Sequence, residues 1–206
     1  MAAKSANIFV TGIALSCITS LCLLTLSAML GRHEFFLLLN NDLGVLADQF
    51  FRYWTILGDG ITWVAVAILV VIFRRQYLLL IVCAIIVSTL ITQFAKHFIF
   101  PHEFRPTYGL IDMKLIHTVT GVELYTANSF PSGHTATAFT LFLLACLLVK
   151  KWWVVPVGFV CAVLVGYSRI YLAQHFPMDV GAGILVAIIT VILSAQIQKR
   201  WAPLPQ

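Results

Sequence analysis

Three short stretches of this sequence set titratable and cationic side chains among apolar neighbours. They are Lys96 with Arg105-Pro106, Ser129-Phe-Pro-Ser-Gly-His134, and Ser168-Arg169 followed by His175-Phe-Pro-Met-Asp179. Lys96, Arg105 and Arg169 are three cations that could converge on one anion. Arginine's planar fork suits phosphate oxygens, and lysine adds a point charge. Ser132 and Gly133 precede an apolar run, so their backbone N–H groups fall at a helix N-terminus, where the dipole favours negative charge. Pro177 sits where a first helical residue would sit, which marks a second helix start. His175 and Asp179 are four apart and share a face if that helix begins early. A carboxylate on one ring nitrogen of His175 fixes the tautomer and leaves the other free to attack phosphorus. His134 can then protonate the leaving oxygen. The chemistry these types and spacings support is phosphoryl transfer through a histidine, with developing charge held by the three cations and the amides.

The elements that must position these residues are membrane helices. Of the 206 residues 61% are hydrophobic and only 10% charged, and the mean hydropathy is +0.97. A soluble domain carries about a quarter charged residues, so the composition excludes an ordinary soluble enzyme. It predicts an all-α, polytopic membrane protein with one domain over residues 1–206. The five cysteines lie inside apolar runs without CxxC spacing, and read as small core residues, neither disulfides nor metal ligands.

A spanning helix needs about 20 mostly apolar residues. Six such runs are predicted: 8–30, 54–73, 77–95, 135–149, 152–168 and 180–197. The first is taken as a retained membrane helix. Residues 34–53, rich in aromatics but broken by Asn40-Asn41-Asp42 and Asp48, read as one or two short interfacial helices or a packed loop. Asp59 falls at the outer boundary of the second run, either ordering the rim or capping a turn.

Six spans put both termini on one side. That side receives Lys4, Arg74, Arg75, Lys150, Lys151, Lys199 and Arg200 and no acidic residue. The other receives six basic residues, all eight acidic ones and all six histidines. Basic residues mark the cytoplasmic side, so both termini are expected in the cytoplasm and the three reactive stretches at the outer membrane–water interface. Arg32 and Arg52 read as headgroup anchors, and His33 and His117 as polar boundary residues.

The three stretches resemble the motifs of the type 2 phosphatidic acid phosphatases. These membrane lipid phosphatases share their site with vanadium haloperoxidases and class A acid phosphatases. Pro131-Ser132-Gly133-His134 matches the second motif unchanged. Ser168-Arg169, five residues, His175, three residues and Asp179 match the third. The first departs, because eight residues separate Lys96 from Arg105 where the family has six. His97 is a possible stand-in for Lys96.

The resemblance implies His175 as the nucleophile that forms a phosphohistidine, with Asp179 as its orienting partner. It implies His134 as acid for the leaving group and then base for water. Lys96, Arg105, Ser132, Gly133 and Arg169 would bind the phosphate. No metal and no cofactor are implied. The partner implied is a lipid phosphate in the bilayer, and no nucleic acid. The expected activity is hydrolysis of a lipid phosphomonoester or pyrophosphate, such as undecaprenyl pyrophosphate, phosphatidylglycerophosphate, phosphatidic acid or a lipid A phosphate. The expected setting is a bacterial inner membrane, with the site facing the periplasm or exterior. Two alternatives use the same residues: transfer of the phosphoryl group to a second lipid, and transport of an anionic lipid. Label moving to an acceptor lipid would mark the first, and lipid movement without phosphate release the second.

Overall fold

The computed structural model describes residues 2–109 and 111–202, with backbone only for 2–6. The expected domain of 1–206 and the Lys4 side chain, expected on the cytoplasmic side, therefore reach outside the described residues. All regular structure among the described residues is helical, in the order α1 (Ala2–Leu30), α2 (Arg32–Leu39), α3 (Val45–Trp54), α4 (Gly60–Phe73), α5 (Leu78–Phe94), α6 (Gly133–Val149), α7 (Val154–Tyr171) and α8 (Pro177–Trp201). The long helices are apolar around their whole circumference, as lipid-facing helices are. Val64, Ile68, Leu69, Val71 and Ile72 on α4 are exposed large apolar side chains, and so are Val157 and Val160 on α7. Inside a bilayer a helix satisfies its own backbone groups, which is why these runs become helices rather than open sheet.

Among the described residues, four stretches are long and apolar enough to cross a bilayer on their own: 7–30 of α1, Arg75–Ile99 around α5, α7 and α8. The second expected span is not one straight helix. Its first residues form a tight turn at Thr55–Gly58, and α4 leaves that turn bent by 54° from α3. α6 has 17 residues, or about 25 Å at ~1.5 Å per residue, against a hydrocarbon core of about 30 Å. The region 34–53 forms two short helices, α2 and α3, broken at Asn40–Gly44.

α8 is the central helix and packs against α1, α5 and α6. Small residues let backbones approach closely, as membrane helix interfaces favour. A Cβ on Gly183 would lie 2.6 Å from the carbonyl oxygen of Ser132, so this glycine lets α8 press against the turn that starts α6. Ser20 Oγ on α1 donates to the Gly181 carbonyl at 2.8 Å. At the opposite end Gln198 ties α8 to the start of α5, accepting from Leu80 N at 2.9 Å and donating to Gln76 O at 3.2 Å. One end of the bundle is thereby closed by helix ends, and the other carries the reactive stretches.

Candidate active site

The third stretch forms where α7 ends and α8 begins. The chain reverses over Leu172–Phe176, with the Gln174 and His175 amides both donating to Arg169 O at 2.9 and 3.1 Å. Pro177 opens α8, as its fixed φ favours. His175 precedes the helix, so its contact with Asp179 is not made across a helical face. Asp179 lies in the first turn and its Oδ2 reaches back, accepting from Phe176 N at 2.9 Å. The same oxygen lies 3.3 Å from His175 Nδ1. Ser129 Oγ gives it a further, short hydrogen bond. Nδ1 of His175 therefore carries the proton, and Nε2 keeps its lone pair. Both side chains are buried, at 2% and 0% exposure. Burial first, then the charges of Arg105, Arg169, Lys96 and His134, hold the His175 ring well below the usual histidine range. A neutral imidazole is what a nucleophile at phosphorus needs.

The cations gather around this pair. Arg105 is 8% exposed and Arg169 7%, deep enough that each needs an anion or several acceptors. Arg105 Nε donates to Ala127 O at 2.9 Å, and Nη1 to Gln174 O and Oε1 at 3.0 and 3.1 Å. Arg169 Nη1 donates to Thr55 Oγ1 at 2.7 Å, while its Nε is buried without a partner among the described residues. A buried donor of this kind is suited to an anion's oxygen. Lys96 is half-buried and lies within electrostatic reach of Arg105, Arg169 and Asp179, whereas His97 beside it is exposed. The eight residues before Arg105 are taken up by a single wide turn, Ala95–Ile99, closed by Phe100 N to Ala95 O at 2.7 Å, and by the bend at Pro101-His102.

The second stretch starts α6. Ser132 caps it, with Oγ accepting from Thr135 N at 3.4 Å and from Thr135 Oγ1 at 2.9 Å. Its own N–H is already donated to Asp179 O at 3.0 Å. The amide of Ser132, expected to face an anion, is therefore engaged. What this turn offers instead is the Ser132 hydroxyl proton and the first-turn amides of Gly133 and His134, which have no intrahelical acceptor. His134 stands in that first turn, with Nε2 3.6 Å from Asp59 Oδ2.

Three contributors carried no role in the sequence reading. Ser129 holds Asp179, Gln174 holds Arg105 and Thr55 holds Arg169. Arg32 is not a headgroup anchor: it donates to Glu103 Oε2 at 2.8 Å and Phe104 O at 3.2 Å, with its guanidinium 4.2 Å over the Phe176 ring. Glu103, beside Arg105-Pro106, is thus the ion-pair partner of Arg32. Ser129 and Gln174 had one legible signal, a polar side chain directly inside or beside a motif. His117 bonds Asp48 at 3.0 Å, which Tyr171 also reaches at 2.6 Å. With Asp42 these carboxylates and His117 form the group of metal-ligand types that the fold brings together, and it shares no residue with the site around His175.

Comparisons with known proteins fit this geometry. The family model of the PAP2 superfamily matches residues 77–203, which include all three motifs. YbjG of Escherichia coli is 36% identical over 124 residues, 60% of this chain and 58% of that one. The undecaprenyl-diphosphatase of Sulfolobus acidocaldarius is 30% identical over 173 residues, 81% of this chain and 78% of that protein. The chain thus spans little more than half of the first relative and over three quarters of the second. The crystal structure of Aquifex aeolicus LpxE superposes with a TM-score of 0.69 at 34% identity, covering 79% of this chain and 93% of that one. This chain is an integral membrane protein and belongs to the PAP2 superfamily.

Proposed function

We propose that the chain is a membrane lipid phosphatase that hydrolyses a lipid pyrophosphate or phosphomonoester through a phosphohistidine on His175. The observation that carries this is the buried His175–Asp179 contact at 3.3 Å, with the charges of Arg105, Arg169 and Lys96 close enough to act on the ring. In the first step His175 Nε2 bonds to phosphorus as the bond to the leaving oxygen breaks. His134 gives that oxygen its proton, and Asp179 stabilises the charge left on the His175 ring. In the second step His134 takes a proton from water. The water oxygen bonds to phosphorus, and the N–P bond breaks to release phosphate. Arg105, Arg169, Lys96, the Ser132 hydroxyl and the Gly133 amide hold the phosphoryl oxygens in both steps. No step calls for a metal.

Undecaprenyl pyrophosphate is the substrate proposed first. The relative named for that activity aligns over 81% of this chain. The proposed topology has six spans, with α3–α4 as one bent crossing and α6 as a short one, both termini in the cytoplasm and the site at the outer face of a bacterial inner membrane. The excess of Arg74, Arg75, Lys150, Lys151, Lys199 and Arg200 at the opposite end supports this.

The test is phosphate release by detergent-solubilised protein from undecaprenyl pyrophosphate, phosphatidylglycerophosphate, phosphatidic acid and lipid A phosphates, in EDTA, with His175→Ala as control. Release that favours the prenyl pyrophosphate and is lost in the variant is expected. Release abolished by EDTA, or surviving in His175→Ala, would overturn the mechanism.

A further inference from the structure

The corner between α3 and α4, Thr55–Asp59, lies outside the segment that matches the family, yet it makes three contacts with the site. Thr55 Oγ1 accepts from Arg169 Nη1 at 2.7 Å. Gly58 packs so tightly that a Cβ there would lie 2.7 Å from the His134 carbonyl oxygen and 2.7 Å from Val165 Cγ1. Asp59 caps α4, with Oδ1 accepting from Ile61 N at 3.1 Å, and this leaves Oδ2 aimed at His134 Nε2, 3.6 Å away. One carboxylate oxygen is thus fixed by the helix start and the other is presented to the imidazole.

The charge around His134 gives that carboxylate a task. Lys96, Arg105 and Arg169 all lie near the His134 ring, and His175, backed by Asp179, faces it from the α7–α8 reversal. Three cations oppose a second positive charge on His134. A proton donor to the leaving oxygen must nevertheless carry its proton when substrate arrives.

Resting on the reading of His134 as that donor, we infer that Asp59 is a positioning residue for His134. Its carboxylate orients the imidazole from the α4 corner and favours the imidazolium form. The proton donated to the leaving oxygen still comes from His134, and the proton returned in the second step still comes from water. Asp59 itself gains and loses none.

Asp59→Asn is the variant that separates charge from structure, because asparagine caps a helix about as well as aspartate. With phosphatidic acid, whose leaving group is an alkoxide that needs a proton, kcat should fall about fivefold with little change in KM. That is the loss expected for an ion pair with a half-exposed partner. The basic limb of the kcat–pH profile should move about half a unit to lower pH, since an acid that has lost its anion gives up its proton sooner. With p-nitrophenyl phosphate, whose leaving group departs as a stable anion, the burst of p-nitrophenol should slow less. Asp59→Glu should recover part of the loss.

An inactive His134→Ala beside an Asp59→Asn with wild-type kcat and an unmoved basic limb would overturn the inference alone. Equal losses on both substrates with a lowered Tm would also overturn it, by reducing Asp59 to a cap. A His134→Ala variant that retained turnover on phosphatidic acid would remove the reading beneath it as well.

Discussion

His175 Nδ1 and Asp179 Oδ2 meet at 3.3 Å in a space where neither side chain touches solvent. That oxygen also accepts from the Phe176 amide and the Ser129 hydroxyl. The carboxylate is therefore fixed by three donors from two segments, and the histidine ring is held by a group that cannot swing away. The site residues that follow depend on this arrangement.

His175→Ala should abolish turnover and phosphoenzyme formation while the protein remains folded. The ring lies in the reversal before α8 and outside the apolar clusters of the bundle. Asp179→Asn should lower kcat by roughly two to four orders of magnitude, through the wrong tautomer and the lost anion. Phosphate release and trapping of labelled phosphoenzyme measure both, and an active His175→Ala would remove the nucleophile assignment.

Ser129→Ala should reduce kcat about tenfold by withdrawing one charge-assisted donor from Asp179, worth roughly 1.5 kcal/mol. KM should change little, because Ser129 meets Asp179 and the far side of the His175 ring. Steady-state kinetics on one lipid phosphate decide this, and a loss confined to KM would count against it.

Lys96→Ala and Arg105→Ala should lose activity to a similar degree, and His97→Ala should not. If the longer spacing displaced Lys96 from the phosphate, its loss would be the smaller. The wide turn at Ala95–Ile99 instead leaves Lys96 half-buried within reach of both arginines, with His97 exposed. Arg105→Lys should also be poor. A lysine cannot keep the Ala127 and Gln174 contacts and still face an anion.

The acid limb of kcat/KM should lie below the ordinary histidine range, once corrected for ionisation of the substrate. The ordinary value for histidine here is 6.5, and burial and four neighbouring cationic or titratable groups depress it in His175. A depressed value means that the ring stays neutral and nucleophilic as pH falls through 6.5. Stability works in the same direction. The unfolded chain takes up the proton that the folded chain refuses, so the stability tied to this ring is present above about 6.5 and is lost as pH falls below it. A pH–rate profile and Tm as a function of pH check the two halves.

Gly183→Ala should cost activity and stability together. Its methyl would lie 2.6 Å from Ser132 O and 3.0 Å from Thr135 Cβ. Either α8 or the start of α6 must then shift, at a cost of about 1–3 kcal/mol. Tm and kcat falling in parallel is the expected result, and an unchanged kcat would mean that the shift is taken by α8.

The sequence by itself determined the class of molecule, the positions of the membrane helices to within a few residues, and the chemistry. Apolar runs of this length have few other stable forms in a bilayer, and Pro-Ser-Gly-His with Arg-x5-His-x3-Asp leaves little freedom in which groups meet. It did not determine how the second expected span is built. Asp59, flanked by glycines, reads equally as ordering the rim or capping a turn, and only packing against α6 and α7 made Thr55–Asp59 a corner. Nor could it show that Ser129, Gln174, Thr55 and Arg32 serve the site, that the Ser132 amide is engaged by Asp179, or that Lys96 joins the cations across an altered spacing. Those facts depend on which polar atoms are left facing one another once the helices have packed. Long-range pairing of this kind joins residues 46 to 114 positions apart in the chain, and local pattern carries no information about it.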